Sequence, residues 1–273
     1  MLDSLILSLF VFAACLVALL AYDKISFDFL SRGKDLQLSP QKIVVICGVA
    51  VAVCAGLAWL VIRDGGPNLL QYFYIVLFSL GFYFTLILLL PRSRLIILSE
   101  LLAVCLMVWL ILVTGSTFLQ NIILAGCLLW VGPLVLKKLK IKTRYVLAFL
   151  ILFMIIDVYD IYFAQPAASV FSDAHFVLNG LIQSGNWVLG IGDFLVAYIA
   201  VNVIQKDISI KAAILAALMI AFFRFFFHVA FPNYAEALPY SLVITPTALV
   251  IYGWWVVGKH SQKNSSPNQY LTN

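Results

Sequence analysis

Nine runs of apolar residues, each close to the about 20 residues that a helix needs to cross the hydrocarbon of a bilayer, divide this chain of 273 residues. They fall at 5–22, 43–62, 69–90, 95–114, 116–136, 145–164, 185–204, 210–231 and 238–258. Only Thr114, Gly115 and Ser116 separate the fourth run from the fifth. Lipid offers no water to backbone N–H and C=O groups, so runs of this length predict helices, which satisfy their own backbone. The composition agrees, with 64% hydrophobic and 11% charged residues. So few charges leave a soluble domain of this size without a polar surface. The expected fold class is an all-α polytopic membrane protein with nine transmembrane helices. Helices 1–5 occupy 1–144, helices 6–9 occupy 145–258, and a polar tail expected to be disordered covers 259–273.

The charges predict how the runs are threaded. Fifteen of the 17 Lys and Arg residues lie in the loops after odd-numbered runs, at the adjoining end of the eighth run (Lys211) or in the C-terminal tail. The opposite side carries Arg63, and Arg224 lies within the eighth run. This asymmetry is the positive-inside pattern, and it places the N-terminus outside and the C-terminus in the cytoplasm. It also explains the net charge of +5 without nucleic acid as a partner. Asp3 and the lack of a preceding basic residue set the first run apart from a secretory signal peptide, so it is expected to remain as a helix. The five cysteines sit inside apolar runs with no CxxC pattern, and they read as small buried hydrophobes. His175 has no companion ligands, and no metal or cofactor is expected.

In so apolar a chain the acids inside the runs are the informative residues. An ionised carboxylate near the membrane centre costs roughly 2.5–3.5 kcal/mol on insertion scales. Glu100 lies near the start of its run and reads as an interfacial acid. Asp157, Asp160 and Asp193 lie deeper. Asp160 is about four residues before the outer end of the sixth run and Asp193 about eight residues into the seventh, depths of ~6 and ~12 Å at helical rise. The two runs are joined by an outer loop and run antiparallel, so their acids can face one another. Two carboxylates held close resist joint ionisation and share one proton. The ionised member can then draw a proton from water while the protonated one polarises a carbonyl. Asp157 shares the helical face of Asp160 and reads as a tuning group, a partner for Arg224, or a polar residue beside a cavity.

Gly190 and Gly192 precede Asp193 in Gly190-Ile191-Gly192-Asp193, leaving the backbone beside the acid open to close approach. With Tyr159-Asp160 in the sixth run and Ala237-Leu238-Pro239 opening the ninth, these residues carry a resemblance to the presenilin and signal peptide peptidase family of GxGD intramembrane aspartyl proteases. The order of the motifs and the nine-run layout extend the resemblance along the whole chain. The first place of the family's Pro-Ala-Leu motif is here Glu236, and Pro239-Tyr240-Ser241-Leu242 looks like the family's continuation. The resemblance implies an aspartic endopeptidase in which Asp160 and Asp193 are catalytic. It implies that Tyr159, Gly190, Gly192, Ala237, Leu238 and Pro239 shape the substrate site, the proline freeing carbonyls for an extended peptide. The outward loop between the acids favours the signal peptide peptidase branch. Expected substrates are therefore transmembrane peptides of type II orientation, such as remnant signal peptides. The expected enzyme is a microbial protein of the cell membrane, working without obligatory partner subunits. Two other readings use the same acids, a prepilin-peptidase-like GxGD protease and an ion-coupled transporter.

Three further features carry expectations. Arg224 is expected to snorkel to the outer interface, with His228 one turn on. The phenylalanines of the eighth run are expected to meet lipid, and Trp254, Trp255 and Lys259 to anchor the cytoplasmic end. A test of the threading is labelling of a tag inserted in the loop 165–184 in intact cells. Access from outside is expected, and labelling only after permeabilisation would reverse the orientation.

Overall fold

The computed structural model describes residues 2–25, 66–90, 94–162, 181–184, 187–230 and 240–264. The second predicted run, 43–62, lies outside them. The helices are α1 (Leu2–Lys24), α2 (Gly66–Leu89), α3 (Arg94–Thr114), α4 (Thr117–Gly126), α5 (Thr143–Tyr162), α6 (Ile191–Asp207), α7 (Ile210–Ala230) and α8 (Ser241–Asn264). Among the described residues, five stretches are long and apolar enough to cross a membrane: Leu2–Lys24, Leu95–Thr114, Thr117–Lys138, Ile210–Ala230 and Ser241–Gly258. The chain is a multi-pass membrane protein, and its described residues are mostly helical, with one short hairpin. Its outer surface is apolar, with Leu95, Leu102, Phe222 and Trp254 all exposed.

The slender break between the fourth and fifth runs is real. Gly115 takes a left-handed φ of 64°, which an L side chain would adopt only with strain. Ser116 then caps α4, its hydroxyl accepting from the Leu119 N–H at 3.4 Å.

The fifth run is not the single helix its hydropathy predicts. α4 stops at Gly126, and the chain passes through a turn, a helical turn at Val131–Pro133 and a π-helical turn at Leu134–Lys138. Pro133 lacks an N–H and removes the helical donor for the Leu129 carbonyl. Carbonyls near the break are taken by neighbouring side chains: Ala125 accepts from Tyr198 Oη at 3.0 Å, Gly126 from Thr85 Oγ1 at 2.8 Å, and Cys127 from Trp130 Nε1 at 2.8 Å. In lipid such replacements are what allow a broken helix.

α6 stands at the centre, against α1, α5, α7, α8 and the broken segment. Val196, Ala197, Tyr198, Ala200, Val201 and Asn202 are all fully buried, so the helix is covered on every side. Ala213, Ala216 and Ala217 of α7 are also fully buried, and these small residues let the helix backbones approach closely.

The seventh predicted run, placed as a helix from 185, is corrected. Leu181–Ser184 (β1) and Trp187–Gly190 (β2) pair antiparallel, with Ile182 opposite Leu189 and Leu181 opposite Gly190. Helix begins only at Ile191. Ile182 and Leu189 point into the core as a buried cross-strand pair, which fixes the register. Between the strands the sequence reads Gly185-Asn186, outside the described residues, a dipeptide that as sequence favours a tight hairpin and is passed over by a hydropathy window. The last helix also differs, running to Asn264 beyond the predicted boundary at 258. Lys259 to Asn264 contain no proline or glycine to stop it.

One end of the bundle gathers polar groups from several predicted cytoplasmic turns. Lys137 donates to the Tyr22 carbonyl, Gln205 Nε2 donates to Asp23 at 3.0 Å, and Asp207 accepts from Thr143 and from Tyr252 at 3.2 Å. Glu100, expected at an interface, is instead buried at 6% exposure.

Asn202 packs directly on the broken segment. A methyl group added to Gly132 would stand 2.1 Å from Asn202 Nδ2, and Asn202 is fully buried with no room to retreat. Gly132→Ala is expected to cost about 1–3 kcal/mol, the usual range for overpacking, read as a lower melting temperature in detergent. Asn202→Ala in the same chain should restore most of the loss. An unchanged loss in the double variant would contradict this contact.

Candidate active site

The site is assembled where the hairpin turns into α6. Gly190 ends β2 in an extended conformation (ψ 145°) and is the N-cap of α6, so Asp193 falls in the first helical turn. The Asp193 carboxylate accepts a hydrogen bond from the Gly190 N–H. A side chain in the first turn that reaches back to the cap in this way satisfies a donor the helix leaves open. The positive end of the helix dipole favours an acid there. Asp193 is half-buried.

Both glycines of the motif have a neighbour at ordinary van der Waals distance from where a side chain would begin. A Cβ on Gly190 would lie 3.4 Å from Asp193 Oδ2, and one on Gly192 would lie 3.4 Å from Phe153 Cζ. The second contact fixes which face of α5 meets α6. Val146, Leu150, Phe153 and Asp157 recur at spacings of four, three and four residues, one stripe of a helix. Val146 and Leu150 are buried, and the Leu150 carbonyl accepts from Thr245 Oγ1 of α8 at 3.2 Å. Asp160, three residues after Asp157, continues this stripe on the described backbone of α5. Its side chain lies outside the described residues.

Asp157 joins the site as well. It accepts from Ser241 Oγ at the start of α8. Tyr240, just before Ser241, is buried and donates to the Ile220 carbonyl of α7 at 3.3 Å. Tyr159 lies elsewhere on α5, 58% exposed. The structure therefore sets Gly190, Gly192 and Asp193 against the face of α5 at Phe153, the stripe on which Asp157 and, by its backbone position, Asp160 follow. Ala237, Leu238 and Pro239, with Glu236, lie outside the described residues.

Arg224 corrects an expectation. It does not reach an interface: it is 3% exposed, and Nη1 donates to Ser8 Oγ at 2.9 Å and to the Ser4 carbonyl at 3.3 Å. Hydropathy cannot reveal which face of the eighth run meets another helix, so snorkelling was the simpler expectation. The signal was there in Ser4 and Ser8, polar residues one turn apart within an apolar run. Among the described residues, no group of three or more His, Cys, Asp or Glu side chains could hold a metal ion. Neither a protein-family model nor a curated protein matches this sequence.

The arrangement gathers acids from two antiparallel helices, one of them hydrogen-bonded by a third. Ser241→Ala removes the hydroxyl donor to Asp157 and should lower stability by about 1–3 kcal/mol, the penalty for a buried acceptor left without its partner. Chemical denaturation of the purified variant tests this. A midpoint equal to that of the parent would show that the Ser241 contact contributes nothing.

Proposed function

We propose that the chain is an intramembrane aspartyl protease of the presenilin and signal peptide peptidase kind, with nine membrane-spanning helices and Asp160 and Asp193 as the catalytic pair. The observation that carries this reading is the Gly192–Phe153 contact. It sets Asp193, in the first turn of α6, against the face of α5 that bears Asp157 and Asp160.

On this reading the pair shares one proton. The ionised carboxylate takes a proton from a bound water, whose oxygen attacks the scissile carbonyl. The protonated partner donates to the carbonyl oxygen, giving a tetrahedral gem-diol. Collapse breaks the C–N bond, and a proton passes to the departing amine. No covalent intermediate and no metal enter these steps. Asp157, held by Ser241, is a supporting acid whose charge discourages double ionisation of the pair.

The hairpin suits a substrate in extended form. A two-stranded sheet leaves an outer row of backbone N–H and C=O groups on each strand, and β2 leads within three residues to Asp193. A substrate segment unwound from its own helix could add to such an edge and present a peptide bond beside the acids. The basic residues on one side place the acids toward the outer half of the membrane. That orientation favours type II substrates such as remnant signal peptides, cleaved by a microbial enzyme acting as an intact chain.

The test is incubation of the purified protein in detergent with a synthetic membrane-spanning signal peptide. Cleavage within the apolar segment is expected. Asp160→Ala and Asp193→Ala should each lower the rate by at least about 10²–10⁴, the range supplied by general acid–base groups. Asp157→Ala should retain a larger share of activity. If Asp157→Ala abolishes cleavage while Asp160→Ala does not, Asp157 is the second catalytic acid. Proton-coupled solute uptake without peptide products would support a carrier instead.

A further inference from the structure

We propose that the end of the bundle where α1, the linker 138–142 and the turn between α6 and α7 meet binds the phosphodiester headgroup of an anionic phospholipid. The proposal does not depend on the protease reading. Three stretches far apart in the sequence are held together there by hydrogen bonds. Lys137 donates to the Tyr22 carbonyl and, at 3.4 Å, to the Asp23 carbonyl, and its ammonium stands 4.5 Å from the centre of the Tyr22 ring. The end of α1 is thereby fixed to the π-helical turn. Gln205 Nε2 donates to Asp23 at 3.0 Å, fixing α1 to the end of α6. Thr143 Oγ1 donates to Asp207 at 2.5 Å, fixing the start of α5 to the same place.

These contacts occupy the acids and leave cations over. Asp23 and Asp207 are the acids of these three stretches among the described residues. Asp23 accepts from Gln205, and Asp207 accepts from Thr143 and Tyr252, with Lys206 Nζ at 3.9 Å. Lys24, Lys138, Lys142 and Lys211 have no such partner among the described residues. Lys24, Lys142 and Lys211 are exposed and Lys138 is half-buried. Lys24 adjoins Asp23, Lys142 adjoins Thr143, and Lys211 follows Asp207 by four residues, so the hydrogen bonds that join the stretches also gather their lysines. Membrane threading asks only for basic residues on one side, in any loop. It does not ask the fold to engage both acids and collect the lysines of three stretches at one place.

Lys140 adds a separate observation. The π-helical turn closes with Leu139 N–H donating to the Leu134 carbonyl at 2.9 Å and Ile141 N–H to the Val135 carbonyl at 3.2 Å. Between them Lys140 takes a left-handed φ of 49°, a position just past a helix end that favours glycine. An exposed lysine stands there instead, at some cost in local strain. A lysine ammonium is a point charge suited to phosphate, and its attraction to anionic lipid reaches only about a Debye length, so gathered lysines act together at the headgroup level. Exposed Tyr145 and Trp254 belong to the same end, as aromatic residues of a membrane interface do. Exposed Phe149 and Leu152 follow on α5 and give acyl chains a surface to lie on. That apolar continuation favours a lipid over a free phosphate.

Melting temperatures of the full chain in an uncharged detergent, titrated with phosphatidylglycerol, phosphatidylcholine or inorganic phosphate, test the site. A ligand of the native state raises the melting temperature in proportion to its occupancy. Phosphatidylglycerol should raise it by a few degrees, and the other two should leave it nearly unmoved. Lys138→Gln combined with Lys142→Gln should increase the phosphatidylglycerol needed for half the effect about fivefold per lysine. Lys140→Gly should do so about fivefold, and Lys211→Gln, on a different helix, by a similar factor. Arg94→Gln removes a charge from α3, which packs on α2 and α4, and should not alter the response. An equal rise with phosphatidylcholine or with inorganic phosphate would overturn the proposal. So would a loss in Arg94→Gln as large as in the lysine variants, which would show diffuse charge rather than a site. An unchanged response in Lys211→Gln would refute the convergence of the three stretches.

Discussion

A charged side chain inside a lipid-embedded bundle has only the protein to solvate it, and the centre of this molecule is organised by that constraint. Asp193 is met by the Gly190 N–H and by the dipole of the helix it begins. Arg224 is met by Ser4 and Ser8. Asp157 is met by Ser241. The contacts of Arg224 and Asp157 join different helices, so these polar groups, expensive to bury, also specify how α1 meets α7 and how α5 meets α8. Burial of apolar surface drives little association when the surroundings are themselves apolar. These few polar contacts, with the close approach allowed by alanine and glycine, carry much of the specificity.

The hairpin and the broken helix are two solutions to one difficulty. Non-helical backbone within a membrane protein must find partners away from lipid. β1 and β2 satisfy one another and bury Ile182 and Leu189. The break after Gly126 draws on Tyr198, Thr85 and Trp130. Tyr198 lies on α6 five residues after Asp193, so the helix that carries the acid also braces the break. α6 has 17 residues, about 26 Å at helical rise, a little short of the hydrocarbon thickness of about 30 Å. The chain enters it from a strand rather than from a longer helix, which places Asp193 at a helix start where backbone donors are open.

How much of this was legible in the sequence depended on whether the information was local. Hydropathy located the helices to within a few residues for α1, α2, α3, α5 and α7, because lipid imposes length and apolarity on each separately. Threonine, glycine and serine marked the break at Thr114–Ser116. The hairpin was missed because Trp187, Val188 and Leu189 are as apolar as any helix, and only the dipeptide Gly185-Asn186 announced a turn. Of the site, Asp157, Asp160, Asp193 and the two glycines stood out as acids and small residues in an apolar setting. Tyr240 and Ser241 did not, and Ser4 and Ser8 showed only as a polar pair one turn apart, since the roles of all four arise from helices far apart in the chain. The burial of Arg224 was hidden for the same reason.

The central claim is that Asp160 and Asp193 face one another across the α5–α6 contact. The most direct measurement is thiol cross-linking in a chain freed of its native cysteines, with Asp160→Cys and Asp193→Cys combined and a short bifunctional reagent added. Efficient intramolecular cross-linking is predicted for this pair, and little for Tyr159→Cys with Asp193→Cys, because Tyr159 lies on the exposed side of α5. Cross-linking of the Tyr159 pair in preference to the Asp160 pair would contradict the account.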